Sequence, residues 1–325
     1  MIIAIPDDYH GLVPQLDCLG LLKEHDVRVF RDARPPLETL IDNLREADII
    51  VPIRERTRFT REVIDALPRL KMISQTGRST HHVDVAACTA RRIVIAAGSH
   101  ASPYTVAEHT WALILAALRH VPEETALMKR GAWRSAFSMG LRGRTLGIFG
   151  LGKIGSLIAA TGASFGMRVL VWGRESSREA AARAGYAFAP GQRALFAESD
   201  VLALMVRLTK DTRGIVKPED LAAMKPDSLL VNTARAELIE HGALERALAQ
   251  GKPGRAAVDV YEDEPVLGGD HPLLKLPNAL CTPHSAWLEK ETYELYFGQA
   301  FENIVAFAAG RPQQVVNPEA LKKIN

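Results

Sequence analysis

The chain has 325 residues, and globular domains average roughly 150, so two domains are expected. A hydrophobic fraction of 47% and a charged fraction of 24% exclude a disordered tail, a collagen-like repeat and a disulfide-stapled miniprotein. With 40 basic against 38 acidic side chains, the net charge of +2 predicts neither a nucleic-acid nor a membrane-surface partner. Cys18, Cys88 and Cys281 are scattered without C-x-x-C spacing, which predicts reduced thiols and no metal site. Asp7 and Asp8 stand where a signal peptide would be positive. The longest apolar run, Trp111–Leu118, falls far short of the roughly 18 residues of a membrane span, so a cytoplasmic protein is expected.

Short apolar runs alternate with amphipathic stretches almost from end to end, the pattern of an α/β protein with parallel sheets. Ile2–Ile5, Val27–Phe30, Ile49–Ile53, Lys71–Ser74 and Ile93–Ala96 predict strands, and Leu37–Leu44, Arg61–Leu67 and Val85–Arg91 the helices between them. A longer helix is predicted over Val106–Leu118, starting after Ser102 and Pro103. A second series follows, with strands at Thr145–Phe149, Arg168–Trp172, Val201–Val206, Leu229–Asn232 and Ala256–Val260. Helices are predicted at Lys153–Phe165, Ser177–Ala184, Pro218–Met224 and Ala243–Gln250, and Glu289–Ala309 forms a long last one.

Between the first strand of the second series and its helix lies Gly150-x-Gly152-x-x-Gly155. The first glycine permits a tight turn, the second lets backbone approach a pyrophosphate, and the third lets helix and strand pack closely. Gly150, Leu151, Gly152, Lys153, Ile154 and Gly155 are therefore expected to hold a dinucleotide, with the helix N-terminus facing the phosphates. NAD sites usually carry an acid about 20 residues further on. Here Gly173 lies 18 residues past Gly155 (173 − 155) and Arg174 follows it directly. A guanidinium there can pair with a 2′-phosphate, assisted by the hydroxyls of Ser176 and Ser177. The expected cofactor is NAD(P), with NADP favoured, while Glu175, one position late, keeps NAD open.

Three further segments, VNTARAELIE, AAVDVYEDEP and LCTPHSAW, carry polar residues at the ends of apolar runs. With the glycine motif, in this order and spacing, they resemble the signature stretches of the D-isomer-specific 2-hydroxyacid dehydrogenases over nearly the whole chain. The resemblance implies an active-site arginine at Arg235, a carboxylate at Glu264 and a histidine at His284. Each type suits the chemistry: histidine titrates near working pH and can pass a proton, and a carboxylate on its other ring nitrogen fixes the tautomer. Arginine grips a substrate carboxylate in two-pronged fashion. The resemblance also places Asp259 at the nicotinamide carboxamide and Asn232, Thr233 and Ala234 along the nicotinamide ribose.

The same resemblance assigns substrate contacts in the first hundred residues to Arg54, from VPIRERTRFT, and to Ser79 and Thr80, from ISQTGRSTHHVDVAA. Arg54, Arg56, Arg58 and Arg78 would suit a small anionic 2-oxo or 2-hydroxy acid such as phosphohydroxypyruvate, hydroxypyruvate or glyoxylate, although solvated surface positions are expected for Arg56 and Arg58. His81 and His82 lack further ligands at metal spacing, so no metal is expected. The stretch Val106–Phe137 matches the family's inter-subunit arm, which implies a homodimer. The sequence departs from the family at Ala236, Met205, Arg207 and Ser285-Ala286, pointing to a divergent subgroup. Formate oxidation on the same fold is disfavoured because those enzymes carry glutamine where this chain has Glu264. A dinucleotide-sensing co-repressor of the same fold is the alternative from another class.

The expected architecture is α/β, with two Rossmann-like or flavodoxin-like domains of parallel sheet. The nucleotide-binding domain, residues 99–287, is inserted into a discontinuous substrate domain made of residues 1–98 and 288–325.

Overall fold

In the computed structural model, residues 1–98, 102–133 and 136–321 are described. The expected boundary at Ser99, residues 134–135 of the expected arm and residues 322–325 lie outside them. The chain divides into two compact units, Met1–Ser102 with Glu289–Asn325, and Pro103–Leu288.

In chain order the first unit runs β1 (Ile2–Ile5), β2 (Asp26–Val29), α1 (Leu37–Leu44), β3 (Ile49–Ile50), α2 (Arg61–Asp65), β4 (Met72–Gln75), α3 (Val85–Ala90) and β5 (Val94–Ala97). The second holds α4 (Tyr104–Leu118), α5 (Val121–Lys129), β6 (Thr145–Phe149), α6 (Lys153–Ser164), β7 (Arg168–Trp172), α7 (Glu175–Ala184), β8 (Ala187–Phe188), α8 (Gln192–Glu198), β9 (Val201–Leu204), α9 (Pro218–Ala223), β10 (Leu229–Asn232), α10 (Ala243–Ala249), β11 (Arg255–Val258) and β12 (Ala279–Cys281). The chain returns to the first unit with α11 (Lys290–Ala308).

The first sheet is parallel in the order β2-β1-β3-β4-β5, a flavodoxin-like arrangement. One face packs Ala4, Ile50, Ile73 and Ile95 against Leu40, Leu44, Val63 and Ile64 of α1 and α2. The other face meets α11, whose Tyr293 stacks on Phe297 and whose Phe297 meets Phe301 at a tilt, all three nearly fully buried. Burying each such ring contributes about 1.5–3 kcal/mol. The hydroxyl of Ser74 also donates to the carbonyl of Ala300 on α11 at 2.7 Å. The strand expected over Ile49–Ile53 stops at Ile50 because Pro52 has no N–H to donate, and the hydroxyl of Thr76 takes up the Pro52 carbonyl instead.

The second sheet is also parallel, in the order β12-β11-β10-β9-β6-β7-β8, so the strand order reverses between β6 and β9. β6, β9 and β10 are buried on both faces, as parallel strands covered by helices must be. Leu146 and Ile148 face α4 and α6, while Phe149, Leu202 and Leu230 face the opposite layer with Phe196 and Leu244. Sequence patterning does not anticipate α5, none of whose residues is buried, nor the short strands at the two edges, β8 and β12. His120, in a left-handed conformation with φ 54°, separates α5 from α4, and Pro122 sits in its first turn.

Candidate active site

The carboxyl ends of parallel strands at a reversal of strand order are where open α/β sheets bind ligands. β6 ends at Phe149, and Gly150, φ 100°, turns the chain into α6. A Cβ on Gly150 would stand 2.8 Å from Val206 Cγ1, and one on Gly155 would run into the carbonyl oxygen of Gly150. Only glycine permits this packing of strand, turn and helix. At Gly152, by contrast, an added Cβ meets nothing within 4 Å. The turn therefore opens outward beside the first amides of α6, which have no acceptor within the helix. That cradle fits a pyrophosphate.

The turn is braced from behind by Ser177, whose hydroxyl accepts the Leu151 amide at 3.1 Å. This corrects one expectation: Ser177 is buried and faces inward, whereas Arg174 and Ser176 are exposed. Glu175 pairs with Arg178, Nε to Oε2 3.5 Å.

At the end of β10, Asn232 Oδ1 accepts the Ala234 amide at 3.0 Å and its Nδ2 donates to the Arg235 carbonyl at 2.9 Å. Asn232 thus shapes the turn from which half-buried Arg235 projects, and the Thr233 and Thr110 hydroxyls meet at 2.7 Å beside it. Arg235 Nη1 donates to the Ala234 carbonyl at 2.7 Å. β11 leads to Asp259 and Glu264, and β12 to His284. His284 Nδ1 and Glu264 Oε2 lie 2.5 Å apart, and the other carboxylate oxygen of Glu264 accepts the Tyr261 amide at 2.8 Å. The histidine and glutamate singled out from sequence, twenty residues apart, are therefore in direct hydrogen-bond contact.

Asp259 is fully buried. Its carboxylate accepts the Thr282 hydroxyl at 2.5 Å and the amides of Ser285 and Ala286 at 2.9 and 2.8 Å, and His109 Nε2 stands 3.4 Å away. Burial alone would raise its pKa, but the hydrogen bonds from His109, Thr282, Ser285 and Ala286 outweigh burial and hold it below the usual carboxylate value. His109, Tyr261 and Thr282 are parts of this site that the sequence did not reveal. Tyr261 donates its hydroxyl to the Thr282 carbonyl at 3.0 Å.

In the first unit, Arg54 follows β3 with a left-handed φ of 55°. Its amide donates to the Thr76 hydroxyl at 2.8 Å, its guanidinium carbon lies 4.9 Å from the Tyr296 ring centre, and Nε is 3.9 Å from Glu55. Ser79 and Thr80 are half-buried after β4, and Ser79 Oγ is 2.6 Å from His81 Nδ1. Arg58 is exposed, but Arg56 is not the solvated charge expected. It stacks 3.9 Å over the Tyr9 ring and donates to the Asp7 carbonyl at 2.8 Å, because that stack and carbonyl replace part of its hydration. Among the described residues no group of three or more His, Cys, Asp or Glu could hold a metal, and no helix is long and apolar enough to cross a membrane.

A doubly wound sheet with a glycine turn at its reversal point, and a histidine–carboxylate pair at neighbouring strand ends, define a dinucleotide-dependent dehydrogenase. The model of the D-isomer-specific 2-hydroxyacid dehydrogenase NAD-binding domain matches residues 111–286, and the chain belongs to that family. It is an oxidoreductase that moves a hydride between NAD(P) and the CH–OH carbon of a 2-hydroxy acid. It is 36% identical to a glyoxylate reductase of Aeropyrum pernix over 93% of this chain and 92% of that one. Among solved structures it resembles a phosphoglycerate oxidoreductase of Vibrio cholerae, with TM-score 0.92 and 48% identity over 95% of this chain and 99% of the other. It also resembles a provisionally assigned D-3-phosphoglycerate dehydrogenase of Ralstonia solanacearum, with TM-score 0.96 and 46% identity over 99% and 98%.

Proposed function

We propose that the protein interconverts a small anionic 2-oxo acid and its D-2-hydroxy acid, of the glyoxylate, hydroxypyruvate or phosphohydroxypyruvate type, with His284 as acid–base and NADPH as the preferred reductant. The observation that carries this reading is the 2.5 Å approach of His284 Nδ1 to Glu264. With Nδ1 committed to Glu264, Nε2 is the nitrogen left to give a proton to the substrate carbonyl oxygen, or to take it back in oxidation. The Tyr261 amide holds the carboxylate still, so the imidazole keeps one orientation. Arg235 binds the substrate carboxylate and draws charge from the carbonyl. In the first unit, Arg54 and the loop of Ser79 and Thr80 are assigned to the substrate anion. The nicotinamide, when bound, supplies or accepts the hydride.

Asn232, Thr233 and Ala234 are assigned to the ribose side of the nicotinamide. Asp259 serves there by holding the Thr282–Ala286 turn. The NADP preference is supported by exposed Arg174 and Ser176 beside Gly173, and by the pairing of Glu175 with Arg178 rather than outward. A homodimer through the α4–α5 region is supported by the exposure of Trp133 (91%) and Phe137 (104%), which a partner would cover. The free thiols suit a reducing, cytoplasmic setting.

Initial rates with glyoxylate, hydroxypyruvate, phosphohydroxypyruvate and pyruvate, each with NADPH and NADH, test the reading. Turnover of at least one of the first three, fastest with NADPH, is expected. Silence across the panel rejects the substrate class, and a tenfold or larger NADH preference in kcat/KM rejects the cofactor.

A further inference from the structure

We propose that Arg207 is a second guanidinium, beside Arg174, for the 2′-phosphate of the dinucleotide, an assignment that rests on the NADP reading above. β9, β6 and β7 lie side by side, and the turns leaving them interlock. A Cβ on Gly150 would come within 2.8 Å of Val206 Cγ1 and 3.0 Å of the Met205 carbonyl oxygen. One on Gly173 would come within 3.5 Å of Gly150 Cα. Arg207, directly after Val206, and Arg174, directly after Gly173, therefore leave the chain on opposite flanks of the phosphate turn. Two strand spacings, about 10 Å, separate the ends of β9 and β7, a gap that two long side chains can close from either side.

Both arginines are exposed, and neither has an acidic partner among the described residues. The neighbouring arginines differ: Arg178 pairs with Glu175 at 3.5 Å, Arg183 with Glu179 at 3.8 Å and Arg213 with Glu237 at 3.6 Å. The backbone at Arg207 is also held. The Thr212 hydroxyl donates to the Arg207 carbonyl at 2.7 Å and accepts the Thr209 amide at 2.7 Å. A side chain on a braced loop loses less freedom when it engages a ligand. A phosphate dianion has oxygens enough for two forked guanidinium groups, and each such charge-assisted pair is among the stronger hydrogen bonds. Arg207 departs from the family's pattern in the sequence, and the catalytic reading leaves it without a task.

Calorimetric titration of the full-length protein with adenosine 2′,5′-bisphosphate and with 5′-AMP tests this without turnover. The parent should bind the bisphosphate more tightly than 5′-AMP. Arg207→Ala and Arg207→Gln, the second keeping most of the bulk, should each cut that preference about tenfold or more, as should Arg174→Ala. If both Arg207 variants keep the parental preference while Arg174→Ala loses it, Arg207 has no part in the site. Equal weakening of both nucleotides overturns the assignment in the same way. A parent that binds the two nucleotides alike removes the NADP reading itself, and this proposal with it.

Discussion

Asp259 accepts the backbone amide of Ser285 at 2.9 Å, and so fixes the residue before it, His284, in a left-handed backbone with φ 49°. That conformation is uncommon outside glycine and costs free energy wherever it occurs. The carboxylate offsets the cost by taking the amides of both Ser285 and Ala286 and the hydroxyl of Thr282, three donors from the turn that carries the histidine. Glu264 then sets the ring and Asp259 sets the backbone under it.

Asp259→Asn keeps the shape but turns one acceptor into a donor facing donors. Leaving such a buried pair unmade costs about 1–3 kcal/mol, and a displacement of the turn by about 1 Å is enough to lower rate about a hundredfold. The expected result is a kcat reduced by one to two orders of magnitude with a lower melting temperature. Steady-state kinetics and calorimetry check it, and an unchanged kcat would sink the positioning role.

His284→Ala removes the proposed proton donor, and kcat should fall by about 10²–10⁴. Glu264→Gln keeps the hydrogen-bonding outline but replaces the carboxylate oxygen that Nδ1 meets at 2.5 Å, loosening the hold on the ring, and about a 10–100-fold loss is expected. Dinucleotide affinity should stay within a few-fold of the parent in both, read by quenching of protein fluorescence. A near-normal kcat in His284→Ala would remove the histidine from the mechanism.

Gly155→Ala tests the turn from the packing side. The new methyl would press on the carbonyl of Gly150, a backbone atom that cannot swing away as a flexible side chain can. The helix must shift off the strand, and dinucleotide affinity should fall by about tenfold or more, as expected when overpacking costs about 1–3 kcal/mol. Gly152→Ala should disturb the fold far less, since its Cβ meets nothing within 4 Å. Equal melting temperatures for the two variants would contradict this account.

What the sequence made legible and what it hid divide along a physical line. Apolar runs predict β6, β7 and β10 to the residue because a parallel strand covered on both faces must be apolar throughout. The glycine turn is legible because each glycine answers a local steric demand. β8, with two residues at a sheet edge, leaves no such trace, and neither does α5, which buries nothing. In the site, Arg235, Glu264 and His284 stand out by residue type beside strand ends. The partnership of His109 with Asp259 does not, because 150 residues of chain separate them and a helix histidine looks alike whatever it faces. The sequence points Ser177 at the ligand because its neighbours are polar, and only the packing reveals that it faces the Leu151 amide.

His82 gives the first unit a pH dependence of definite sign. The side chain is buried, with 7% exposure, and neither ring nitrogen has a hydrogen-bond partner. Burial pushes its pKa down from 6.5 to about 4, with Glu55 opposing and His81 and Arg54 adding to the shift. An unfolded histidine takes up a proton near 6.5, whereas the folded one resists until about 4, so within that window the unfolded state binds more protons. Stability should therefore be unaffected by His82 above about pH 6.5 and fall as pH drops from there to about 4, by about 3 kcal/mol over the whole window at 1.36 kcal/mol per unit. His82→Leu removes the group and should flatten the slope. All four tryptophans, Trp111, Trp133, Trp172 and Trp287, lie in the second unit, so the readout is hydrogen exchange of the β4 and β5 amides between pH 4 and pH 7, corrected for intrinsic rates. If parent and variant lose protection in parallel across that range, the dependence belongs to other groups and His82 is protonated in the folded state as readily as in the unfolded chain.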